Sequence, residues 1–237
     1  MSLLAPPPSP FGAGGAEPWA AALRGVATGL VLVSEDPAVA VEHLDVARWT
    51  APADEADRSA LDGLSGPLLD VGCGPGRMVR AALDAGLQAW GVDADPVAVS
   101  TCRAIGLPVL RRSVFDRLPL EGSWSALLLL DGNVGIGGDP VRLLWRCRDL
   151  LLPGGTVLVD VAAPGHGLRV TTARLVGAAG AGGWFAWAVL GFDALAVVAA
   201  AAGLRVADAW VVEDEQRWQA ELVRASSWPV PGDGAVA

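Results

Sequence analysis

The sequence is organised around one short stretch, residues 68–77, which reads Leu-Leu-Asp-Val-Gly-Cys-Gly-Pro-Gly-Arg. Strand-like residues run directly into Gly72, Gly74 and Gly76, and an amphipathic helix pattern begins immediately after them. A turn that lacks a Cβ at three alternate positions lets a ligand come close to its backbone. We therefore expect a ligand-binding turn that joins a strand to a helix.

From residue 67 onwards the pattern alternates between strands and helices. Strands are predicted at 67–71, 88–92, 108–110, 125–130, 156–161, 204–212 and 217–225, and helices at 76–86, 96–105, 140–151 and 192–202. The unbroken apolar run over 125–130 is typical of a strand that is buried on both faces. Such alternation predicts an α/β fold with a doubly wound, mostly parallel sheet.

The remaining regions predict additions to this sheet. Residues 1–15 are rich in Pro and Gly and are expected to be disordered, and 229–237 are expected to form a loose tail. Residues 16–64 predict an N-terminal helix-and-hairpin cap, and residues 65–228 predict the main domain. Two apolar segments within 162–190 predict an insertion hairpin.

Composition narrows the class of protein. The net charge of −9 argues against a nucleic-acid partner, because neutralising phosphates requires a basic face. Three cysteines without a Cys-x-x-Cys pair favour a reduced, cytoplasmic protein without disulfides or a zinc site. The uncharged segment 176–192 is rich in Gly and Ala and is followed by Asp193, so a buried turn and helix is favoured over a membrane span.

Polar residues near the glycine turn limit the class of ligand that the turn can bind. The dinucleotide fingerprint spaces its glycines as Gly-x-Gly-x-x-Gly, whereas here the third glycine comes one residue early and Arg77 stands in its place. Asp70 would disfavour a pyrophosphate and favour a ligand with a cationic amine and a sulfonium. Asp93 ends the second strand, where a carboxylate can bind ribose hydroxyls. Asp93 alone suits NAD as well as any other nucleoside.

In order along the chain, five motifs resemble those of the class I S-adenosylmethionine-dependent methyltransferases. They are Asp70–Gly76, Gly91–Asp93, Asp116 with Leu118-Pro119, Leu127–Asp131 and Leu152–Gly155. The resemblance covers about residues 65–161 and extends to the helix and two strands that follow. It implies a seven-stranded sheet, S-adenosylmethionine as the methyl donor and S-adenosylhomocysteine as the product. A chain with 17 Arg but neither Lys nor Tyr is typical of a GC-rich bacterial genome.

The resemblance also implies roles for individual residues. Asp70 would hold the ammonium group of the cofactor, Asp93 its ribose, and Asp116 the exocyclic amine of its adenine. Val114 or Phe115 would pack on the adenine ring. Asp116 alternatively begins a turn, and Asp70 alternatively fixes only its own loop. The cofactor-binding residues implied in this way are Asp70, Gly72, Cys73, Gly74, Gly76, Asp93, Ala94, Val114, Phe115, Asp116, Asp131 and Gly132.

Signals on the acceptor side are weaker. Asp131 ends the strand at which, in the family, the methyl group of the cofactor meets the acceptor. Asn133 would orient an acceptor or the carboxylate of the cofactor, or it is a turn residue. His166 would act as a general base, or it is an exposed loop residue. Arg48-Trp49 would close over the cofactor as a lid, or Trp49 packs in the core.

The remaining features favour a small, partly apolar acceptor. Trp184 and Trp187 are predicted to share one strand face, either as a wall of an acceptor pocket or in the core. The sequence lacks the Asn/Asp-Pro-Pro-Tyr/Phe motif of amino-methylating nucleic-acid enzymes, a Pro-Cys pair and a clear metal-binding constellation. We therefore expect O-, N- or C-methylation of a small molecule in bacterial secondary metabolism, by a monomer or homodimer without a nucleic-acid or membrane partner. Two alternatives stay open: a degenerate regulatory protein that binds the cofactor, and an NAD-dependent oxidoreductase.

Overall fold

The computed structural model describes residues 18–25, 29–36, 42–212 and 217–225. The helices are α1 Pro18–Leu23, α2 Val46–Thr50, α3 Glu55–Ser59, α4 Arg77–Asp84, α5 Pro96–Ala104, α6 Pro140–Leu150 and α7 Phe192–Ala201, with a 3-10 segment at Asn133–Gly138. The strands are β1 Leu30–Ser34, β2 Glu42–Leu44, β3 Leu68–Val71, β4 Ala89–Asp93, β5 Val109–Arg111, β6 Trp124–Leu129, β7 Leu151–Val161, β8 Leu168–Gly177, β9 Gly180–Ala181, β10 Phe185–Leu190, β11 Leu204–Val212 and β12 Arg217–Arg224. The predicted disorder of 1–15 and the predicted loose tail at 229–237 lie outside the described residues.

Seven strands form the main sheet, in the order β11-β12-β7-β6-β3-β4-β5. The strands from β7 to β5 run parallel, whereas β12 is antiparallel to both β7 and β11. The predicted α/β fold with a seven-stranded, mostly parallel sheet is confirmed. Most boundaries differ from the predictions by one or two residues, and the largest difference is at β7, which begins at Leu151, before the Pro-Gly-Gly turn, because Leu151 already pairs with Trp124 of β6.

Successive residues of β6 face opposite sides of the main sheet, so each side has its own core. Leu127 and Leu129 pack in a cluster with residues of α6 and α7. Leu128 and Leu130 pack in a second cluster that includes Met78 of α4. Helices therefore cover both faces, which is why the strand carries an unbroken apolar run.

Aspartate caps set where two helices begin beside the carboxyl ends of the strands. Asp95 accepts hydrogen bonds from the backbone N–H groups of Val97 and Ala98, at 2.8 and 2.7 Å, and Pro96 occupies the first turn of α5. Asp139 caps α6 in the same way. These caps fix the positions of the loops that follow β4 and β6.

A second, antiparallel sheet forms from segments that lie far apart in the sequence. Its order is β10-β8-β1-β2, with β9 paired to β8. The N-terminal hairpin and the insertion hairpin, predicted as separate units, are joined because β1 pairs with β8, for example Val31 with Val176. This sheet, together with α1 and α2, is called the cap below.

The cap has a core of its own. The buried members of this core are Trp19, Ala22, Leu30, Leu32, Ala173, Leu175, Phe185 and Trp187. The prediction that Trp184 and Trp187 share one face is wrong, because side chains alternate with a period of two residues and these positions are three apart. Trp187 instead shares its face with Phe185, at 6.0 Å between ring centroids, and Trp184 lies against Arg174.

Candidate functional site

A cavity of about 480 Å³ lies at the carboxyl ends of the parallel strands, where the cap meets the main sheet. One side consists of the glycine turn and the ends of β3, β4, β6 and β7. The other side consists of cap residues, among them Trp19, Leu32, Leu44, Trp49 and Trp187. Ligands of open α/β sheets bind at this edge, and the volume is typical of a small-molecule site.

The glycine turn has a backbone conformation that only glycine adopts easily. The angle φ is +72° at Gly72, +52° at Gly74 and +92° at Gly76. A Cβ on Gly76 would lie 2.5 Å from the side chain of Leu107, so this glycine permits close packing behind the turn. Gly74 lines the cavity instead, and a Cβ there would lie 3.9 Å from the ring of Trp19.

Asn133 holds the glycine turn from the loop that follows β6. Its Nδ2 donates hydrogen bonds to the carbonyl oxygens of Val71 and Gly72, both at 3.0 Å. Both amide hydrogens are therefore engaged by the backbone, although the side chain also lines the cavity. This geometry indicates that Asn133 positions the turn, and its contact with an acceptor or with the carboxylate of the cofactor stays a prediction.

Asp70 is a buried carboxylate on β3. It lines the cavity, and 4% of the residue is exposed. Across the described parts of the chain, no group donates a hydrogen bond to this carboxylate. Burial raises the pKa of the Asp70 carboxyl to about 7, against the opposing effect of the Arg77 charge. A buried acid that lacks a donor is suited to a cationic group on a ligand.

Asp93 ends β4 and is held by the backbone around it. One carboxylate oxygen accepts from the N–H of Gly74 and the other from the N–H of Asp95, each at 2.8 Å. Burial raises the pKa of the Asp93 carboxyl to about 6, and these backbone hydrogen bonds oppose the rise. The bonds also tie β4 to the glycine turn, so the remaining lone pairs of Asp93 point from a fixed position at the cavity.

Two further carboxylates lie together at the ends of β6 and β7. Asp131, with φ of +53°, accepts from Nη2 of Arg77 at 2.5 Å. The backbone N–H of Asp131 donates to Oδ2 of Asp160 at 2.8 Å. Asp160 is buried, and burial raises the pKa of its carboxyl to about 6. Its Oδ2 also lies 4.0 Å from Nη1 of Arg217. The cavity therefore has two neighbouring carboxylates, each with an arginine nearby.

The structure brings most of the predicted site residues together. Those that line the cavity are Asp70, Gly72, Cys73, Gly74, Asp93, Ala94, Val114, Asp131, Gly132 and Asn133. Four predicted site residues do not line the cavity, namely Gly76, Phe115, Asp116 and His166.

Phe115 and Asp116 are engaged by other parts of the fold. The ring of Phe115 lies 4.4 Å from the guanidinium carbon of Arg142 on α6. Asp116 is exposed, and its carboxylate accepts from the backbone N–H of Ser113 at 3.0 Å. This hydrogen bond closes a turn from Ser113 to Asp116, whereas the alternative interpretation had Asp116 begin the turn that follows. Ser113 itself lines the cavity.

His166 lies in the exposed loop between β7 and β8. The glycines on both sides of it have positive φ, +97° at Gly165 and +62° at Gly167, and they turn the chain away from β7. The His166 carbonyl accepts from Nε of Arg169 at 3.1 Å. The structure therefore does not bring His166 to the cavity, and we do not assign it a role as a base.

Several cavity residues escaped the sequence reasoning. Asp160 lies near the carboxyl end of β7, and Asp131 closely follows β6, so the same signal was present in the sequence. Arg77 was noted only as a misfit to the dinucleotide fingerprint. The cap residues, such as Trp19 and Leu32, carry no signal, because their place depends on pairing between distant strands.

Other kinds of site find little support in residues 18–25, 29–36, 42–212 and 217–225. No group of three His, Cys, Asp or Glu side chains there is arranged to hold a metal ion. Cys73, Cys102 and Cys147 are buried and form no disulfide. None of the helices in this part of the chain has the length and apolar character needed to cross a membrane.

The strand order, the antiparallel strand beside β7 and the glycine turn after β3 define the fold of the class I methyltransferases. The chain therefore has the fold of the class I methyltransferases, and residues 69–159 match the model of a family described as a methyltransferase domain. No curated protein matches the sequence.

Solved structures with this fold share little sequence with the chain. A methyltransferase from Bacteroides fragilis, solved with S-adenosyl-L-homocysteine, is 22% identical with a TM-score of 0.74, over 92% of this chain and 98% of that one. The CcbJ methyltransferase from Streptomyces caelestis is 16% identical with a TM-score of 0.58, over 75% of this chain and 92% of that one. A Burkholderia thailandensis 1,6-didemethyltoxoflavin-N1-methyltransferase is 19% identical with a TM-score of 0.53, over 73% and 78%. These likenesses concern the fold.

Proposed function

We propose that this protein transfers a methyl group from S-adenosylmethionine to a small, partly apolar acceptor, through an oxygen, nitrogen or carbon nucleophile. The observation that carries the proposal is the buried Asp70 carboxylate, which lines the cavity beside the glycine turn and receives no hydrogen bond from the described residues. A cationic amine is the ligand group that such a carboxylate favours.

The proposed cofactor position follows from the order of groups along the cavity. The amino-acid arm lies over Gly72 and Gly74, with its ammonium group at Asp70. The ribose lies at Asp93, whose fixed carboxylate has lone pairs left for two hydroxyl groups. Ala94, Ser113 and Val114 then border the adenine.

Asp131 and Asp160 stand where the acceptor would meet the methyl group. When bound, S-adenosylmethionine supplies a methyl group on a positively charged sulfur, which is a good leaving group. The residues of the chain then have to orient the acceptor and exclude water. Asp160 is the carboxylate best placed to hold an acceptor proton, because burial raises its pKa to about 6, close to neutral pH.

The acceptor is proposed to be partly apolar because the cap supplies an apolar wall. Trp19 and Trp49 form an edge-to-face pair there, with ring centroids 5.5 Å apart. Leu32, Leu44 and Trp187 continue the wall. The fold relative from Burkholderia thailandensis was solved with 1,6-didemethyltoxoflavin bound, which supports a small-molecule acceptor. A place in bacterial secondary metabolism and a cytoplasmic location are part of the same proposal.

Calorimetric titration with S-adenosylmethionine, S-adenosylhomocysteine and NAD tests the proposal. We expect the first two to bind and NAD not to bind. Binding of NAD alone would support an oxidoreductase, and no binding of either S-adenosyl compound would contradict the proposal. A regulatory protein would bind the cofactor but transfer no methyl group to any acceptor found with it.

Replacing Asp93 tests the proposed ribose contact. Asp93→Ala should weaken S-adenosylhomocysteine binding by about 1–3 kcal/mol, because a buried hydrogen-bonding partner is lost. Asp84→Ala is the matched control, since this carboxylate is exposed and does not line the cavity, and its affinity should equal that of the wild type. An unchanged affinity in Asp93→Ala refutes the ribose assignment.

A further inference from the structure

One buried carboxylate outside the cavity contacts three arginines. Asp57 on α3 is 1% exposed. It accepts from Nη2 of Arg48 at 2.8 Å, forms an ion pair with Arg77, and lies 3.6 Å from Nη1 of Arg217. Its backbone N–H also donates to Asp54 in the capping box that begins α3. Asp57 is therefore the common partner of three positive groups.

These three arginines come from different parts of the fold, and all of them line the cavity. Arg48 lies on α2 in the cap, Arg77 begins α4 directly after the glycine turn, and Arg217 begins β12. Asp57 itself does not line the cavity. Asp57 thus contacts arginines of both the cap and the main sheet without lining the cavity itself.

Arg77 depends on its acidic partners more than the other two arginines do. It is the most buried of the three side chains, and it occupies the first turn of α4, where the helix dipole disfavours a cation. Burial alone would lower the pKa of Arg77, but the charges of Asp131 and Asp57 outweigh it and raise the pKa overall. Losing Asp57 would remove one of the two acidic partners that offset the burial of Arg77.

A released Arg77 has an alternative partner in the cavity. Asp70 receives no hydrogen bond from the described residues, and Arg77 is the largest charge effect on it, ahead of Asp131, Asp93 and Asp57. A guanidinium that turned from Asp57 to Asp70 would occupy the carboxylate needed by a cationic ligand group.

We propose that Asp57 is a positioning residue, which holds Arg77 against Asp131 and away from Asp70 and thereby keeps Asp70 open for the ammonium group of the cofactor. The inference rests on the proposed function. Helix α3 therefore contributes to cofactor binding through Asp57, although none of its side chains needs to touch the cofactor.

Asp57→Asn tests the proposal, because it removes the charge while Oδ1 can still accept from a backbone N–H. We expect S-adenosylhomocysteine to bind at least about tenfold more weakly than to the wild type. Asp54→Asn is the matched control on the same helix: Asp54 pairs with Arg48 but not with Arg77, and Asn is an equally good helix cap. Its affinity should stay within about threefold of the wild type.

The pH dependence separates positioning from simple destabilisation. Loss of the Asp57 charge by itself lowers the pKa of Asp70, so positioning is read from the double variant below, in which the net charge of the network is unchanged. There the closer Arg77 should favour ionised Asp70 and move the midpoint of the pH dependence of binding to lower pH than in the wild type. Weaker binding with an unchanged midpoint, or wild-type affinity in the folded variant, overturns the proposal. If wild-type protein fails to bind S-adenosylhomocysteine, the proposed function fails instead.

A second variant keeps the test possible if Asp57→Asn does not fold. Asp57→Asn combined with Arg48→Gln removes one charge of each sign, so the net charge of the buried network is unchanged. Arg77 is still released from Asp57, and the same loss of affinity and the same shift of the midpoint are expected. Wild-type binding by this folded double variant also overturns the proposal.

Discussion

The two sides of the cavity are built in opposite ways. The cofactor side uses residues that are close in sequence, chiefly the glycine turn and the end of β4, which are joined by a hydrogen bond from the Gly74 N–H to Asp93. The cap side is assembled from segments that span residues 19 to 190, and its central pairing joins Val31 to Val176. The cofactor side therefore depends on local backbone geometry, whereas the cap side depends on pairing between strands that are distant in sequence.

The difference explains why the sequence indicates the cofactor but not the acceptor. A glycine turn specifies its own backbone conformation, since the positive φ angles at Gly72 and Gly74 leave few other residues possible. The apolar wall of the cap depends on the register between β1 and β8, and a slip of one residue would turn every side chain to the other face.

The largest expected effect on stability comes from disrupting the contact between the two sides of the cavity. A Cβ on Gly135, in the loop after β6, would lie 2.1 Å from the backbone oxygen of Ala188 on β10. Gly135→Ala should lower the free energy of unfolding by about 1–3 kcal/mol, at the upper end because backbone cannot move aside easily. Gly183→Ala, where no atom lies within 4 Å of the added Cβ, is the control. Equal stability of both variants in urea would show that the contact does not join the two sides.

The next effect concerns the cofactor side alone. Asp70 has a pKa of about 7 in the folded protein, above its ordinary value of 3.8, so the ligand-free fold loses stability as pH rises between these values. A cationic ligand group binds the ionised form. S-adenosylhomocysteine affinity should therefore fall below about pH 7, by up to about tenfold per pH unit.

Calorimetry between about pH 5.5 and pH 8.5 measures this dependence. Asp70→Asn should bind more weakly and lose the dependence near pH 7, whereas any contribution of Asp93, with a pKa of about 6, should remain. A wild-type affinity that is constant from about pH 8 to pH 6 would contradict the role proposed for Asp70.

The smallest effect should come from a residue that sequence reasoning placed in the site. His166 is exposed and lies outside the cavity lining. His166→Ala should change the free energy of unfolding by less than about 0.5 kcal/mol and leave S-adenosylhomocysteine affinity unchanged. A lower rate of methyl transfer in this variant, once an acceptor is known, would bring the loop of His166 back into the site.

The differences between the predicted and the observed site residues share a physical origin. The order of strands follows from the alternating pattern, and Asp70, Asp93 and Asp131 were found because strand ends of a parallel sheet meet at one edge. Asp116 does not line the cavity and accepts from Ser113 in an exposed turn, and such a turn and a ligand contact look alike in sequence. Asn133 was predicted as a site residue, but its hydrogen bonds to the glycine turn were not. The two backbone carbonyls that it binds are 61 and 62 residues away, so the sequence around Asn133 does not indicate them.

The pairing of β1 with β8 also has a consequence for how the chain acquires its structure during synthesis. The N-terminal hairpin emerges first, and its apolar residues Leu30 and Leu32 are buried in a core completed by Phe185 and Trp187. That core cannot close until most of the chain has been made, because loops of this length must be ordered before the contacts form. The parallel strands β3 to β7, by contrast, pair with one another within residues 68–161. Translation therefore delivers the strands that carry the glycine turn before the last strands of the acceptor wall.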